Sequence, residues 1–463
     1  MTATAQATTA TRGRPIPGPR GHPILGSIRE IQRDNVQAFM DAWREYGDIV
    51  HFRGPLTINL LVHPDYVEHV LRNNVANYPR PGFVTDKLKS IVGEGLVAAE
   101  GDRWANARRV AQPAFASERI NGFGPTMIET TGQMLERWSG YAERGQPLDI
   151  KSEMMHISLA NLATALFNFD LREALDDIEP AVYYALSHTN RRLTSPIDPQ
   201  HFPLPSTRRF NATLNALNGV IYRIIGEHRR ATDATEDFVN MLLDSQDPET
   251  GAAITDQQAR DEVIGFFIAG HETVSSALTW TFYLLSQNPD CWRKLKAEID
   301  EVLGGRTPTV DDVPNLKYTE YVLLEAMRHY PPIFVLMRRA LDDDTVGGYH
   351  IPKDSTVVLC AYVTHRHPDF WENPEGFDPD RFTPERATGL PRMAYFPYGG
   401  GPRKCIGNTF AALEMPLVVA MVTQRYRLDL VPGQVVFPEP AISLRPRDPL
   451  MVTLERAANV MAA

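Results

Sequence analysis

The sequence predicts a mainly α-helical fold with small β-sheets, an α+β class, built as one large domain. Helical periodicity fills the long segments of the 463-residue chain, whereas strand-like alternation returns only in short pieces such as Tyr349 to Ile351, Thr356 to Leu359 and Leu450 to Leu454. One pattern, Thr255 to Gln287, is long enough for a helix of roughly 50 Å, the width of a whole molecule.

In chain order, residues 1–14 (MTATAQATTATRGR) have no apolar period and read as a disordered tail, with the domain starting at Pro15. Three prolines between Pro15 and Pro19 fix an extended lead-in. Asn35 to Tyr46 is amphipathic and helical, and His51 to His63 (HFRGPLTINLLVH) suits a short hairpin. Helices follow near Asn121 to Glu143, Ser152 to Phe169, Arg208 to Arg230 and Asp237 to Ser245. The long element opens with Thr255 and Gln258 as a capping box and stops at Asn288-Pro289. Its middle, Phe266 to Val274, is apolar on every side yet carries His271, Glu272 and Thr273 in succession. A last helical run covers Asn408 to Val422.

Composition narrows the function. With 47 Lys+Arg against 57 Asp+Glu the net charge is −10, which argues against a nucleic-acid binder, and 43% hydrophobic residues exclude a disordered chain. No apolar run approaches the length of a membrane span, and the N-terminus has neither a signal peptide's apolar segment nor an anchor. Three scattered cysteines, Cys291, Cys360 and Cys405, make no disulfide framework and fit a reducing cytoplasm. No repeat or low-complexity linker divides the chain.

Gly399-Gly-Gly-Pro-Arg-Lys-Cys-Ile-Gly407 looks like a phosphate loop, but Lys404 stands where the dinucleotide fingerprint needs glycine. It reads instead as a loop delivering one thiol, Cys405, to the start of a helix between Arg403 and Lys404, where dipole, N–H groups and cations favour a thiolate ligand or nucleophile. Most lone cysteines are small buried hydrophobes; the glycine loop and basic flanks point the other way. Glu325-Ala-Met-Arg328 places carboxylate and guanidinium on one helix face, and so does the unremarked Glu30-Ile-Gln-Arg33. Trp104 and Arg108 share a face, which by itself means packing and a snorkelling arginine. His271-Glu272 lacks the second histidine of a zinc HExxH, since position 275 is Ser, and His365 with His367 is a weak metal pair.

In order, these segments resemble the cytochrome P450 family of haem-thiolate monooxygenases. The resemblance runs from about Pro15 onward and rests on WxxxR at Trp104, AGxET at Ala269, ExxR at Glu325, PxxFxPxRF at Pro374 and the cysteine signature FxxGxRxCxG. The signature is kept from Gly401 to Gly407, with Tyr398 in place of its leading Phe. The resemblance implies the family's fold, a long central helix over haem b (iron protoporphyrin IX) held by a proximal loop. Cys405 would be the axial ligand, with Tyr398 beside the sulfur, and Trp104, Arg108, Arg338 and Arg403 would hold the propionates, Arg338 being preferred to Arg339. Glu325, Arg328 and Arg381 would form a buried charge network under that loop. Ala269-Gly270 would distort the long helix to open an oxygen pocket, where Glu272 and Thr273 would deliver protons.

By the same resemblance the substrate pocket would include Phe83, Val84, Phe202, Phe267, Ala269, Phe334, Val335 and Ile442, an apolar set that favours an apolar small molecule, terpenoid or fatty-acid-like. For each of these, core packing is the competing reading. The expected reaction is O2-dependent oxidation with two electrons from a separate ferredoxin and NAD(P)H-dependent reductase, by a monomer with no membrane anchor. Arg103, Arg109, Arg403 and Lys404 would form a basic patch for the electron donor. The alternatives are a haem-thiolate peroxygenase, isomerase or dehydratase that does not use O2, or a haem-binding sensor.

Overall fold

The computed structural model describes residues 13–23, 26–54, 57–169, 175–195, 198–230, 237–246, 251 and 253–457. Residues 1–12 of the expected tail lie outside these, but Arg14, assigned to the tail from sequence, does not belong there. Its N–H bonds Gly348 O at 3.0 Å and its guanidinium lies 3.8 Å over the Tyr349 ring, so ordered structure begins before Pro15. The chain forms two compact units, residues 1–81 with 335–370 and 391–403, and residues 82–334 with 371–390 and 404–463.

In the first unit a four-stranded sheet has the order Ile49–Phe52, Ile58–Leu61, Thr356–Cys360, Val335–Arg339. The expected hairpin supplies the first two strands, pairing Ile49 with Leu61 and Phe52 with Ile58. Ile58–Leu61 then runs parallel to Thr356–Cys360, which is buried at every position, as a strand covered on both faces must be. A second hairpin joins Asp344–Val346 to Tyr349–Ile351. Its corner, Gly347-Gly348, has φ of 57° and 80°, the two left-handed positions that a tight hairpin turn requires. Helix Asn35–Tyr46, capped by Asp34, buries Phe39 and Met40 among Val50, Phe52 and Leu60.

The second unit is dominated by helices: Gly82–Val92, Gly101–Ala111, Gly124–Arg144, Ile150–Phe167, Leu175–Thr194, Pro205–Arg230, Asp256–Gln287, Pro289–Leu303, Lys317–His329 and Asn408–Arg425. Small sheets close it, Leu148–Asp149 and Tyr426–Leu430 on either side of Met451–Arg456, and Pro438–Pro440 with Leu444–Pro446. Local chemistry explains where several boundaries differ from expectation. Phe123 separates Ser117–Gly122 from Gly124–Arg144, where one helix was expected. Ile150–Phe167 stops two residues early because Asn168 turns left-handed at φ 43°. Leu175–Thr194 was not foreseen, its pattern being interrupted by Pro180.

The central helix Asp256–Gln287 carries its capping box at Thr255 and Gln258, and Pro289, which ends it, opens the next helix. It packs against Ile150–Phe167, and Gly270 makes the approach close: a Cβ there would lie 2.7 Å from Leu162 Cδ1. Beside this pair Glu414 of Asn408–Arg425 is buried, and its Oε1 accepts from Asn161 Nδ2 at 3.0 Å. Burial pushes its carboxyl up to about 8, against 4.5 when free. The native state therefore holds a proton that the unfolded chain has lost, so stability declines as pH rises from 4.5 to about 8. Glu414→Gln keeps the acceptor and removes the titration. Its stability relative to the parent should climb by about 2 kcal/mol between pH 6 and 8, read from urea unfolding at each pH.

Candidate active site

Because the central helix is buried nearly all round, the positions that meet solvent stand out. Residues 263–268 and 274–280 are buried, whereas Ala269 is exposed and Gly270 and Thr273 are half-buried. Ala269 and Thr273, at i and i+4, share the face that opens, with one small side chain and one hydroxyl, whereas Gly270 is turned towards Leu162. The helix runs through Ala269 and Gly270 without a break, so the expected distortion is corrected: the small side chain of Ala269, not an unwound turn, leaves the opening. Thr273 Oγ1 donates to Ala269 O at 2.9 Å and keeps its lone pairs for another donor.

Glu272 turns to a different side of the helix and does not bond Thr273. It is 4% exposed, and its Oε1 accepts from Ser443 Oγ at 2.6 Å and from Arg445 Nη1 at 3.1 Å. Sequence reasoning missed Arg445 and Ser443. The available signal was two polar residues at i, i+2 among apolar neighbours, which places both on one side of an extended chain. His271 is fully buried with Nδ1 on Phe267 O at 2.6 Å, and burial lowers its basicity, so it is a neutral ring.

Cys405 lies between the turn Gly401–Arg403 and helix Asn408–Arg425. Its side chain reaches solvent. Burial pushes the thiol up, opposed by the N–H of Gly407, the charges of Arg108 and Lys404, and the N–H of Asn408. The flanking charges and the helix terminus act in the expected sense, against that burial. Arg108 reaches the same segment, donating Nη1 to Lys404 O at 3.0 Å and Nε to Gln112 Oε1 at 2.9 Å. Trp104 lies one turn earlier, half-buried against the core. A thiol, two N–H groups aimed at it and a guanidinium at hand form a donor set that fits a metallo-macrocycle bearing carboxylates.

Arg338, Tyr398 and Arg403 belong to the first unit. Arg338 is 6% exposed on strand Val335–Arg339 and donates Nη1 to Met337 O at 2.8 Å, while its neighbour Arg339 is taken by Asp354 at 2.6 Å. Tyr398 is half-buried, and Arg403 ends its turn. Gly401 has φ 67°, and a Cβ there would come within 1.8 Å of Leu71 O, so no other residue fits.

The structure brings Glu325, Arg328 and Arg381 together with almost no exposure. Arg328 grips Glu325 with Nε at 2.7 Å and Nη2 at 2.9 Å, and Arg381 Nε reaches Glu325 Oε1 at 3.0 Å. The remaining guanidinium N–H groups go to carbonyls: Arg328 to Pro374 O at 2.8 Å, Arg381 to Glu372 O at 2.8 Å and Gly376 O at 3.1 Å. Helix Lys317–His329 is thereby fastened to segment 372–381 through Glu325 and Arg328.

The apolar candidates divide. Phe267 is 1% exposed and stacked on Phe167 at 6.2 Å, and Phe334 is 2% exposed, so both pack as core. Phe83, Val84 and Ile442 are half-buried, as is Val335 of the first unit; Ala269 is exposed and Phe202 is 49% exposed. Of the basic residues, Arg103 is paired with Glu94, leaving Arg109 and Lys404 as exposed cations in the second unit. His365 is bonded by Phe396 N at 2.9 Å and His367 to Asp48 at 2.9 Å, and among the described residues no group of His, Cys, Asp and Glu could hold a metal ion. No helix among them is long and apolar enough to cross a membrane.

A family model described as Cytochrome P450 matches residues 16–454. Cyclooctatin synthase of Streptomyces melanosporofaciens is 36% identical over 448 residues, covering 95% of this chain and 96% of that protein. Pentalenene oxygenase of Streptomyces avermitilis is 31% identical, covering 91% and 92%. The crystal structure of the cytochrome P450DA heme domain superposes with a TM-score of 0.87 at 27% identity, covering 96% of this chain and 98% of that one.

Proposed function

The chain belongs to the cytochrome P450 family and is a haem monooxygenase, and from that premise we propose that it oxidises a terpenoid at the face of the central helix formed by Ala269 and Thr273. The carrying observation is that this face alone opens in the middle of an otherwise buried helix, with a hydroxyl at its edge. The relatives cyclooctatin synthase and pentalenene oxygenase, terpenoid-modifying enzymes, support the substrate class.

Bound haem b supplies O2 activation and oxygen insertion, with a cysteine thiolate as the donor that favours O–O cleavage. The chain's own residues do the rest. Cys405 Sγ would hold the iron as thiolate, its proton passing to solvent, and the N–H groups of Gly407 and Asn408 would hold the sulfur's charge. Arg108 orients a carboxylate from beside Lys404 O. For Arg338, Arg403 and Tyr398 the proposal rests on the family motif. Thr273 Oγ1, releasing Ala269 O, hands on a proton resupplied through Glu272 and water. Ala269 leaves room for a bulky ring where a larger residue would close the face, and Gly270 lets helix Ile150–Phe167 pack close beside it. Redox partners supply the electrons, in our reading a ferredoxin and its NAD(P)H-dependent reductase, with the exposed cations Arg109 and Lys404 for an acidic donor.

Two measurements test this reading. A spin-state titration of the haem-loaded protein should show a low-to-high-spin shift with cyclic terpenes and none with linear fatty acids; the reverse pattern would assign a fatty-acid substrate. Thr273→Ala should cut the product formed per NAD(P)H about tenfold, with oxidation of NAD(P)H continuing. Unchanged coupling would rule out proton delivery through Thr273.

A further inference from the structure

Arg445 is a heavily engaged buried cation outside the Glu325 network, and proton delivery as described does not use it. It is 3% exposed on the short strand Leu444–Pro446. That strand is pinned to the central helix one to two turns beyond Glu272, where Leu444 O accepts from Ser276 Oγ at 2.6 Å and Trp280 Nε1 at 2.8 Å. The guanidinium divides its donors among three elements: Nη1 to Glu272 Oε1 at 3.1 Å, Nε to Glu439 Oε2 at 3.1 Å and Nη2 to Ser187 Oγ at 3.1 Å. Its plane lies 4.0 Å over the Tyr183 ring, on the same helix as Ser187.

The Glu272 carboxylate is consequently asymmetric. Oε1 is held by Arg445 and Ser443, while Oε2 is buried and has no hydrogen-bond partner among the described residues. An unpartnered buried carboxylate oxygen is costly, and it persists here because the other oxygen is locked by a cation and a hydroxyl. We propose that Arg445 is a positioning residue for proton delivery: it compensates the charge of the buried Glu272 carboxylate and fixes it with Oε2 free. In this role Oε2 takes a proton from water and passes it towards Thr273 Oγ1, returning to carboxylate, while Arg445 stays protonated throughout. Because Ser187 and Tyr183 share the grip, the position of helix Leu175–Thr194 is tied to that of the proton donor.

The other groups around the pair do not replace Arg445. Glu439 is an anion on its far side. Burial, with Arg445's own charge, weakens Lys151 as a base, and burial does the same to His271 beside Glu272. Tyr183 is occupied with the guanidinium. Removing Arg445 therefore leaves the carboxylate buried without a compensating cation, and it takes up a proton.

The inference rests on the reading of Glu272 and Thr273 as the proton-delivering pair, and the experiment separates the two. Arg445→Met removes the charge at similar volume, Arg445→Lys keeps it, and Glu272→Gln removes the acid. The infrared difference between R445M and the double variant R445M/E272Q should contain the C=O stretch of a protonated carboxylic acid, absent from the difference between the parent and E272Q. This readout needs no turnover. In the haem-loaded enzyme, product per NAD(P)H should fall about tenfold in R445M, recover in R445K, and fall no further in the double variant than in E272Q. Should R445M fail to accumulate as folded protein, Arg445→Gln replaces it with the same expectations. Absence of the protonated-acid band, or parental coupling in R445M while E272Q is uncoupled, overturns the role of Arg445 and leaves the pair standing. Parental coupling in E272Q overturns the pair, and the inference falls with it.

Discussion

Replacing Cys405 by serine abolishes oxygen insertion and leaves the helical content of the protein unchanged. Serine keeps nearly the same shape between Lys404 and Ile406, so the loop and its N–H groups stay in place. An alcohol, however, does not become an anionic sulfur donor: burial already pushes the thiol up, and it would oppose the far more basic alkoxide more strongly still. The difference spectrum of the reduced protein with carbon monoxide should lose the red-shifted band that marks thiolate ligation, and product should fall to background. Cys291→Ser is the matched control, a half-buried thiol on the helix that begins at Pro289, for which the band should persist. A thiolate band surviving in C405S would mean that another cysteine is the ligand and would overturn the site.

Arg328→Met should cost about 3–5 kcal/mol of stability, because it leaves a buried carboxylate short of its principal cation and strands the carbonyl of Pro374. Burial by itself pushes the Glu325 carboxyl up, but the hydrogen bonds from Arg328 and His329 and their charges prevail and hold it at about 2, against 4.5 when free. With the folded value below the unfolded one, the contribution is complete above pH 4.5 and disappears as the pH falls through about 2. The parent should therefore lose stability across this acid range, and R328M, having lost most of the shift, should show a much shallower decline. Urea unfolding of the full chain between pH 7 and 3 measures both effects. A loss of less than about 1 kcal/mol would place the network with ordinary surface pairs.

Much of the fold was legible because its signals are local. The capping box at Thr255 and Gln258, the stop at Asn288-Pro289 and the amphipathic period of Asn35–Tyr46 depend on neighbours within one turn, and the structure shows each. Where a boundary moved, a backbone detail decided it, as when Asn168 turned left-handed. Leu175–Thr194 escaped notice because Pro180 removes a donor that the remainder of the helix can spare.

Residue types and spacing in the sequence determined the glycine-bounded thiol at Cys405, the pairing of Glu325 with Arg328 one turn apart, and the run of small and polar residues from Ala269 to Thr273. Only the tertiary structure decided how the polar groups are used. Glu272 stands next to Thr273 in the chain, yet its carboxylate is committed to Arg445, 173 residues away. Arg381 completes the Glu325 site from 56 residues away, and Phe267, equally apolar as a pocket wall or as core, is packed on Phe167. The physical reason is range. Capping, turn chemistry and helical period are set by atoms a few residues apart, whereas the partner of a buried charge and the side on which an apolar ring is covered depend on which distant segments the folded chain brings together.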